Sequence, residues 1–329
     1  MKRLSQGADA CHKRQMLHSP ARALLAVISL VSLAGMPARG ATPAPARPPA
    51  MAPAEIVATA PDADWTRIDP ADLIVMDLAP DSQGRPRRVV IQLLPAPFAQ
   101  GWIGNIRTLA AAHWWDGTSI NRVQDNYVVQ WGDPDGEDKA RAKPLPSGLA
   151  RMPQEDYTSK VFAAPEMISR KPDAYAPGTG IDAGWPVGFD KDRMWPVHCY
   201  GMVGVGRDMP PDTGSGAELY AVIGHAPRQL DRNIALVGRV IDGMEHLSSL
   251  PRGTGEIGFY KTAPERTPIL SIRQGSDVPG LPAYQYLATI SDSFRRYADA
   301  RANRRDPFYI RPAGGIDICN LPVPVRRAK

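Results

Sequence analysis

The sequence predicts a mostly-β protein: a closed antiparallel β-barrel capped by two α-helices, interrupted by a long loop insertion and followed by a C-terminal helical appendage. Three observations carry this expectation. Short runs of β-branched and aliphatic residues recur along the chain, each bounded by turn chemistry. Two segments of the central region place apolar residues at helical spacing. Strands and helices do not alternate, as a parallel α/β sheet would require.

The first forty residues read as a signal peptide. Lys2, Arg3, Lys13, Arg14 and Arg22 precede the apolar run from Ala23 to Ala34, and small residues follow it. A run of about twelve residues is too short to cross ~30 Å of hydrocarbon as a helix, whereas a basic start with a short apolar run is the pattern of a secretory leader. Cleavage is expected after Ala34 or Gly40. The mature chain would then be periplasmic or otherwise exported, with no membrane span; an uncleaved membrane anchor is the alternative. Residues 41–64 are rich in Ala and Pro and read as an extended, semi-rigid linker.

The barrel is expected within residues 65–275. Leu73–Leu78 and Val89–Leu94 flank the turn-forming PDSQGRP and read as a hairpin. Phe98–His113 follows with Phe98, Trp102, Ile106, Leu109 and Ala110 on one helical face. Further β-type runs are Asn126–Trp131, Tyr200–Val205, Leu219–Ile223, Ile234–Val240 and Pro268–Arg273, with a second helix at Met244–Leu250 that ends before Pro251. Between Pro134 and Pro196 the pattern dissolves into Pro, Gly and charged residues, which reads as a loop insertion, and one of a length that is often functional. The appendage, residues 276–329, holds a helix over Leu287–Arg301 with the stripe Leu287, Ile290, Phe294 and Tyr297.

Composition narrows the function. The formal charge of the whole chain is +5, but six of its 39 basic residues and one of its 34 acidic residues lie in the leader, which leaves 33 of each. The basic pI is therefore a property of the leader, and nucleic-acid binding loses its main support. The cluster Arg295, Arg296, Arg301, Arg304 and Arg305 reads as a solvated helix face. Of three cysteines, Cys11 falls in the leader, while Cys199 and Cys319 remain. In an oxidising compartment they either form a disulfide or stay as two buried thiols. No spacing of His113, His198, His225, His246 or the cysteines matches a metal site or a catalytic triad, so neither metal nor cofactor is expected. The glycines of Gly178–Gly184 are wrongly spaced for a phosphate loop and read as ordinary loop.

Several motifs in order resemble the cyclophilin family of peptidyl-prolyl cis/trans isomerases. WWDGTSINRV (Trp114–Val123) is similar to YYDGTxFHRV, and VVQWGDPDG (Val128–Gly136) to MIQGGDPxG. YGMVGVG (Tyr200–Gly206) stands where the family has GxxSMAN, GSGAELY (Gly214–Tyr220) where it has NGSQFF, and LVGRVIDGMEHLSSL (Leu236–Leu250) is similar to VFGRVxxGMDVVxxI. The resemblance spans about Leu73–Arg273 apart from the insertion. It implies that Arg122 is the catalytic arginine and that Tyr127, Val128, Gln130, Tyr220 and Leu230 line a substrate groove with Gly206 at its edge. It also marks departures. Gln229 replaces a Trp, Ile234 a His, Arg207 an Asn and Glu218 a Gln, so the opposite wall of the groove is altered.

The implied chemistry needs few groups. Rotating an X–Pro amide breaks its resonance against a barrier of about 18–20 kcal/mol, and uncatalysed exchange takes tens to hundreds of seconds. The useful devices are an apolar slot for the proline ring, a grip on the peptide carbonyl, and a donor aimed at the prolyl nitrogen, where a hydrogen bond is strongest once resonance is lost. A guanidinium is suited to that role because it stays charged and holds its donors in a rigid fork. Without the resemblance, Arg122 reads as a surface ion-pair partner and Tyr127 and Tyr220 as core. Two readings follow: a monomeric isomerase acting on proline-containing segments of exported polypeptides, or a non-catalytic peptide- or protein-binding module on the same barrel.

Overall fold

The apolar runs fold as short strands, labelled in chain order in a computed structural model that describes residues 50–160, 165–169 and 173–328. The order is α1 (Pro53–Ala58), β1 (Trp65–Arg67), β2 (Leu73–Leu78), β3 (Arg87–Leu93), α2 (Gln100–Ala111), β4 (Ser119–Val123), β5 (Val128–Gly132), β6 (Ser159–Lys160), β7 (Glu166–Ser169) and β8 (Gly178–Asp182). It continues with β9 (Trp185–Phe189), β10 (Arg193–Pro196), β11 (Met202–Val205), β12 (Leu219–Val222), β13 (Leu236–Asp242), α3 (Met244–Ser248), β14 (Thr267–Gln274), β15 (Tyr284–Leu287), α4 (Asp292–Ala302) and β16 (Val325–Arg327). The expected signal peptide, Cys11 and the start of the linker lie outside the described residues.

Eight strands close a barrel in the order β11-β12-β5-β4-β14-β2-β3-β13, with β13 returning to β11, and every pair is antiparallel. The β2–β3 hairpin is in register from Leu73 opposite Gln92 to Leu78 opposite Arg87. Closure leaves no open sheet edge, so the backbone groups of all eight strands are paired within the domain. Inside, Met76, Val89, Ile91, Val129, Trp131, Val203 and Ile269 are all at most 2% exposed. The helix α2 buries Trp102, Ile103, Ile106, Leu109 and Ala110 and packs on β14, while α3 packs on β3. Each fully buried large apolar side chain contributes about 1.5–3 kcal/mol, so the α2 face alone is a substantial anchor.

Four expectations are corrected. The loop insertion is partly a sheet: β6-β10-β9-β8-β7, all antiparallel. Its glycines and prolines masked the pattern, although Trp185, Trp195, Val187 and Ile181 are each at most 1% exposed. The Gly178–Gly184 run is β8 plus the two-residue turn into β9, with Ala183 and Gly184 both at positive φ, as a tight hairpin requires. The expected linker is not extended throughout. Pro53 opens α1, Glu55 reaches back to the Ala52 amide at 2.7 Å, and Ile56 is buried against the body. The appendage is more than a helix, since β15 pairs with β1 on one side and β16 on the other as a separate three-stranded sheet. Leu287 ends β15, and α4 begins only after Ser291, whose hydroxyl caps it through the Phe294 amide at 3.1 Å.

Cys199 and Cys319 are joined by a disulfide with Cα atoms 5.0 Å apart, closing a separation of 120 residues. Arg239 of β13 stands at the junction of barrel, inserted sheet and appendage. Its guanidinium donates to Gln92 Oε1 at 2.8 and 3.0 Å and to the Gly184 carbonyl at 2.9 Å, and it lies 4.3 Å over the Trp185 ring and 6.0 Å from that of Tyr286. Burial, with no carboxylate partner among the described residues, lowers its pKa to about 10.

Candidate active site

The site grows from two neighbouring strand pairs. Gln130 of β5 lies opposite Arg122 of β4 on one side and opposite Tyr220 of β12 on the other, while Val128 faces Val222. Residues two apart on a strand share a face, so Val128, Gln130, Tyr220 and Val222 project together while Val129, Trp131 and Ala221 fill the barrel. Val128, Tyr220 and Val222 form an apolar cluster separate from the main core, with Tyr127 and Ile234 packed against it. The β4–β5 turn that places Tyr127 has Asn126 at φ +50°. It is held by the His225 amide donating to Asn126 Oδ1 at 2.8 Å, and a Cβ on Gly224 would lie 2.1 Å from the Asn126 backbone. Only glycine lets the two loops approach this closely.

Arg122 sits at the side of this cluster. Its Nε donates to the Ile257 carbonyl at 2.8 Å, one terminal nitrogen donates to Gln130 Oε1 at 3.1 Å, and the other donates to Gln124 Oε1. The guanidinium carbon lies 5.7 Å from the Tyr127 ring and 5.4 Å from that of Phe259. Burial lowers its pKa from the usual arginine value, with Tyr127 opposing, but a guanidinium remains charged at neutral pH. Of its five N–H groups, three are committed among the described residues, which leaves two to meet a ligand.

Behind Gln130 stands Glu218. Gln130 Nε2 donates to Glu218 Oε2 at 3.4 Å, so the Gln130 amide bridges Arg122 and Glu218. Two glycines make room for the Glu218 side chain: a Cβ on Gly132 would lie 2.1 Å from Glu218 Oε1, and one on Gly206 would lie 2.9 Å from Glu218 Cβ and 3.4 Å from Gln130 Nε2. Burial pushes the Glu218 pKa up to about 7, hydrogen bonds from Gln130 and Asn121 pull it down, and the charge of Asp133 pushes it up again. Gly206 thus makes room for two side chains and presents none of its own.

Tyr220 is fixed from behind. Its hydroxyl donates to His198 Nε2 at 2.8 Å, and His198 Nδ1 donates to Asp231 Oδ1 at 2.9 Å. His198 is wholly buried. Asp231 also takes the His198 amide at 2.9 Å and Arg228 Nε at 2.5 Å, and Arg228 reaches Asp173 at 2.8 Å. Burial raises the Tyr220 pKa well above its usual value, so the phenol stays a neutral donor. A Cβ on Gly204 would lie 2.3 Å from the Tyr220 hydroxyl and ring, so the bare glycine is what lets the phenol reach His198.

The structure brings Arg122, Tyr127, Val128, Gln130, Gly206, Glu218, Tyr220 and Ile234 together. The others stand further out. Gln229 is exposed and Leu230 half-buried on a 3-10 turn, and neither packs with the apolar cluster. Arg207 donates to the Asn233 carbonyl at 2.9 and 3.1 Å and to that of its neighbour Asp208 at 2.6 Å. The sequence reading missed Gln124, Ile257 and Phe259 around Arg122, and His198, Gly204 and Asp231 behind Tyr220. Nothing local in the sequence marks Phe259. Tyr220 in place of an apolar aromatic was the one signal that a partner for its hydroxyl had to lie near.

Comparison with known proteins bears on the same region. Residues 88–273 match the family described as cyclophilin type peptidyl-prolyl cis-trans isomerase/CLD. Among solved structures the chain is similar to cyclophilin AquaCyp293 from Hirschia baltica, with a TM-score of 0.60 and 19% identity over 82% of this chain and 96% of that one. At that identity the likeness speaks for the fold alone. A cyclophilin-type peptidyl-prolyl cis-trans isomerase from Cryptosporidium parvum aligns at a TM-score of 0.37 and 14% identity, over 61% of this chain and 96% of that one, and adds no argument. No curated protein matches by sequence. The match over residues 88–273 takes in the barrel strands from β3 to β14, Arg122 and the apolar cluster beside it, and the chain belongs to the cyclophilin-type peptidyl-prolyl cis/trans isomerase family.

Proposed function

We propose that this protein is a cofactor-independent peptidyl-prolyl isomerase in which Arg122 directs a donor at the prolyl nitrogen of a proline-containing segment held over Val128, Tyr220, Val222 and Ile234. The observation that carries the reading is the Arg122–Gln130 pair at the side of an apolar cluster, with two guanidinium N–H groups left to a ligand. The proline ring would be desolvated on the cluster, and the arginine would bond the nitrogen as its lone pair leaves the amide. That bond is stronger in the twisted transition state than in the planar ground state, which is the condition for raising kcat. One charge-assisted hydrogen bond is worth about 1.5–3 kcal/mol, or roughly ten- to a hundredfold in rate.

The leader read from the sequence supports a further step: the clients are exported polypeptides, and the protein works as a periplasmic or otherwise exported monomer. Among the described residues no helix is long and apolar enough to cross a membrane. The test is a proline-peptide isomerisation assay on wild type and Arg122→Ala, each shown to be folded by circular dichroism. The variant is expected to lose about ten- to a hundredfold in kcat/KM. Equal activity would leave the non-catalytic binding module, the reading favoured by Gln229 and Ile234 on the altered wall.

A further inference from the structure

Glu218 has no place in the mechanism above, yet the fold makes room for it at two glycines, and it touches Gln130, which also touches Arg122. We propose that Glu218 is a positioning residue that fixes the orientation of the Gln130 amide, and through it the pose of Arg122, so that isomerase turnover depends on whether the Glu218 carboxyl holds its proton. The proposal rests on the isomerase reading for its activity arm only.

The logic is that of donors and acceptors. A Gln side chain has one end that only donates and one that only accepts, and a guanidinium only donates. Gln130 must therefore turn Oε1 toward Arg122, as it does at 3.1 Å, which points Nε2 at Glu218. An ionised carboxylate accepts only, so it enforces this orientation and no other. A protonated carboxyl carries a donor as well, and it can pair equally with Gln130 Oε1. The flipped amide then presents N–H to N–H at Arg122, and the arginine loses its partner on the ligand side.

The surroundings make the switch local. Asp133, following β5, is the acidic neighbour, and its carboxylate is occupied by the amides of Asp135 at 3.1 Å and Lys143 at 2.6 Å. Asn121 of β4 and Gln130 of β5 face Glu218 as neutral amides, and Arg122 is one side chain further on. From the β11 end Gly206 brings no side chain, and the Arg207 guanidinium is engaged on the Asn233 and Asp208 carbonyls. No cation among the described residues hydrogen-bonds the carboxyl, so burial dominates and holds its titration near neutrality, about 7.

The sign follows. The ordered pose belongs to the ionised form, so kcat/KM is expected to rise with pH. A single group titrating near 7 gives about a tenfold change between pH 6 and pH 8. The experiment is a protease-free NMR exchange assay on a proline peptide across that range, with the Gln130 side-chain amide resonance followed in the same samples. For wild type, rate and resonance are expected to titrate together. For Glu218→Gln, which like the protonated acid carries a donor beside its acceptor and cannot ionise, both profiles are expected to be flat, with activity near the wild-type low-pH plateau. Wild-type amide resonances that do not move between pH 6 and pH 8 would overturn the proposal, as would a Glu218→Gln variant that keeps the wild-type profile. A chain without isomerase activity whose Gln130 amide still titrates, and stops titrating in Glu218→Gln, would uphold the relay and defeat only the isomerase reading.

Discussion

The buried chain behind the groove gives the most demanding prediction. Removing the hydroxyl in Tyr220→Phe leaves the ring and its contacts with Val128 and Ile234, but deprives His198 Nε2 of its donor in a site where His198 is fully buried. A buried polar atom left unpaired costs about 1–3 kcal/mol. With about 2–4 °C of melting temperature per kcal/mol for a domain of this size, the variant should melt about 2–12 °C lower. His198→Ala removes the same bond from the other side, together with the bond to Asp231, and costs more. The two effects should not add, because each single variant already breaks the Tyr220–His198 bond, and a coupling of about 1–3 kcal/mol is expected. Denaturant unfolding of wild type, both single variants and the double variant measures it. Coupling below about 0.5 kcal/mol, with Tyr220→Phe melting at the wild-type temperature, would refute the claim that this hydroxyl is bonded. Activity is a separate readout: since the ring stays, kcat/KM of Tyr220→Phe should remain within about threefold of wild type.

Replacing both disulfide cysteines by serine frees a loop of 120 residues. Chain-entropy arguments put that near 5 kcal/mol as an upper figure, so a loss of about 3–5 kcal/mol is expected in chemical denaturation, with new proteolytic cleavage in the last thirty residues. The resemblance sets Gln229 and Ile234 in the places of a Trp and a His, so cyclosporin-type ligands should bind poorly. Calorimetric titration should show no tight complex for wild type and a gain of at least tenfold in Gln229→Trp/Ile234→His, a substitution pair that rebuilds that wall.

The barrel was legible because its strands advertise themselves. Leu73–Leu78 is a run of six with a single charge, and the strand found there has the expected bounds. β4 was not read as a strand from its residues, since Ser119, Asn121 and Arg122 dilute its apolar content, although the motif around it led to the family. The inserted sheet was missed for a more instructive reason. Gly178 and Gly188 look like loop residues, but a Cβ on either would lie 2.5 Å from the Phe189 ring or 2.7 Å from that of Trp195. These glycines are seats for aromatic rings, and a pattern that scores each position by its own side chain does not see a seat. The same limit applies at the site. Arg122 and Gln130 are eight residues apart and form a recognisable motif, whereas Ile257 is 135 residues from Arg122 and His198 is 22 from Tyr220. Glu218 was read as a groove residue; its contacts, which the sequence could not supply, are what turn it toward Gln130.

The small sheet of β1, β15 and β16 sets a condition on how the molecule is made. Trp65 pairs with Leu287 and Tyr284 with Arg327, so one of the first strands to be synthesised finds its partner only about 220 residues later, and the last few residues complete the sheet. At roughly 5–20 residues per second, a ribosome needs about 10–45 s to deliver that partner. Throughout that interval Trp65, 8% exposed in the finished protein, lacks the strand that pairs with it. The three-stranded sheet can therefore close only after β16 has been made, however early β1 emerges.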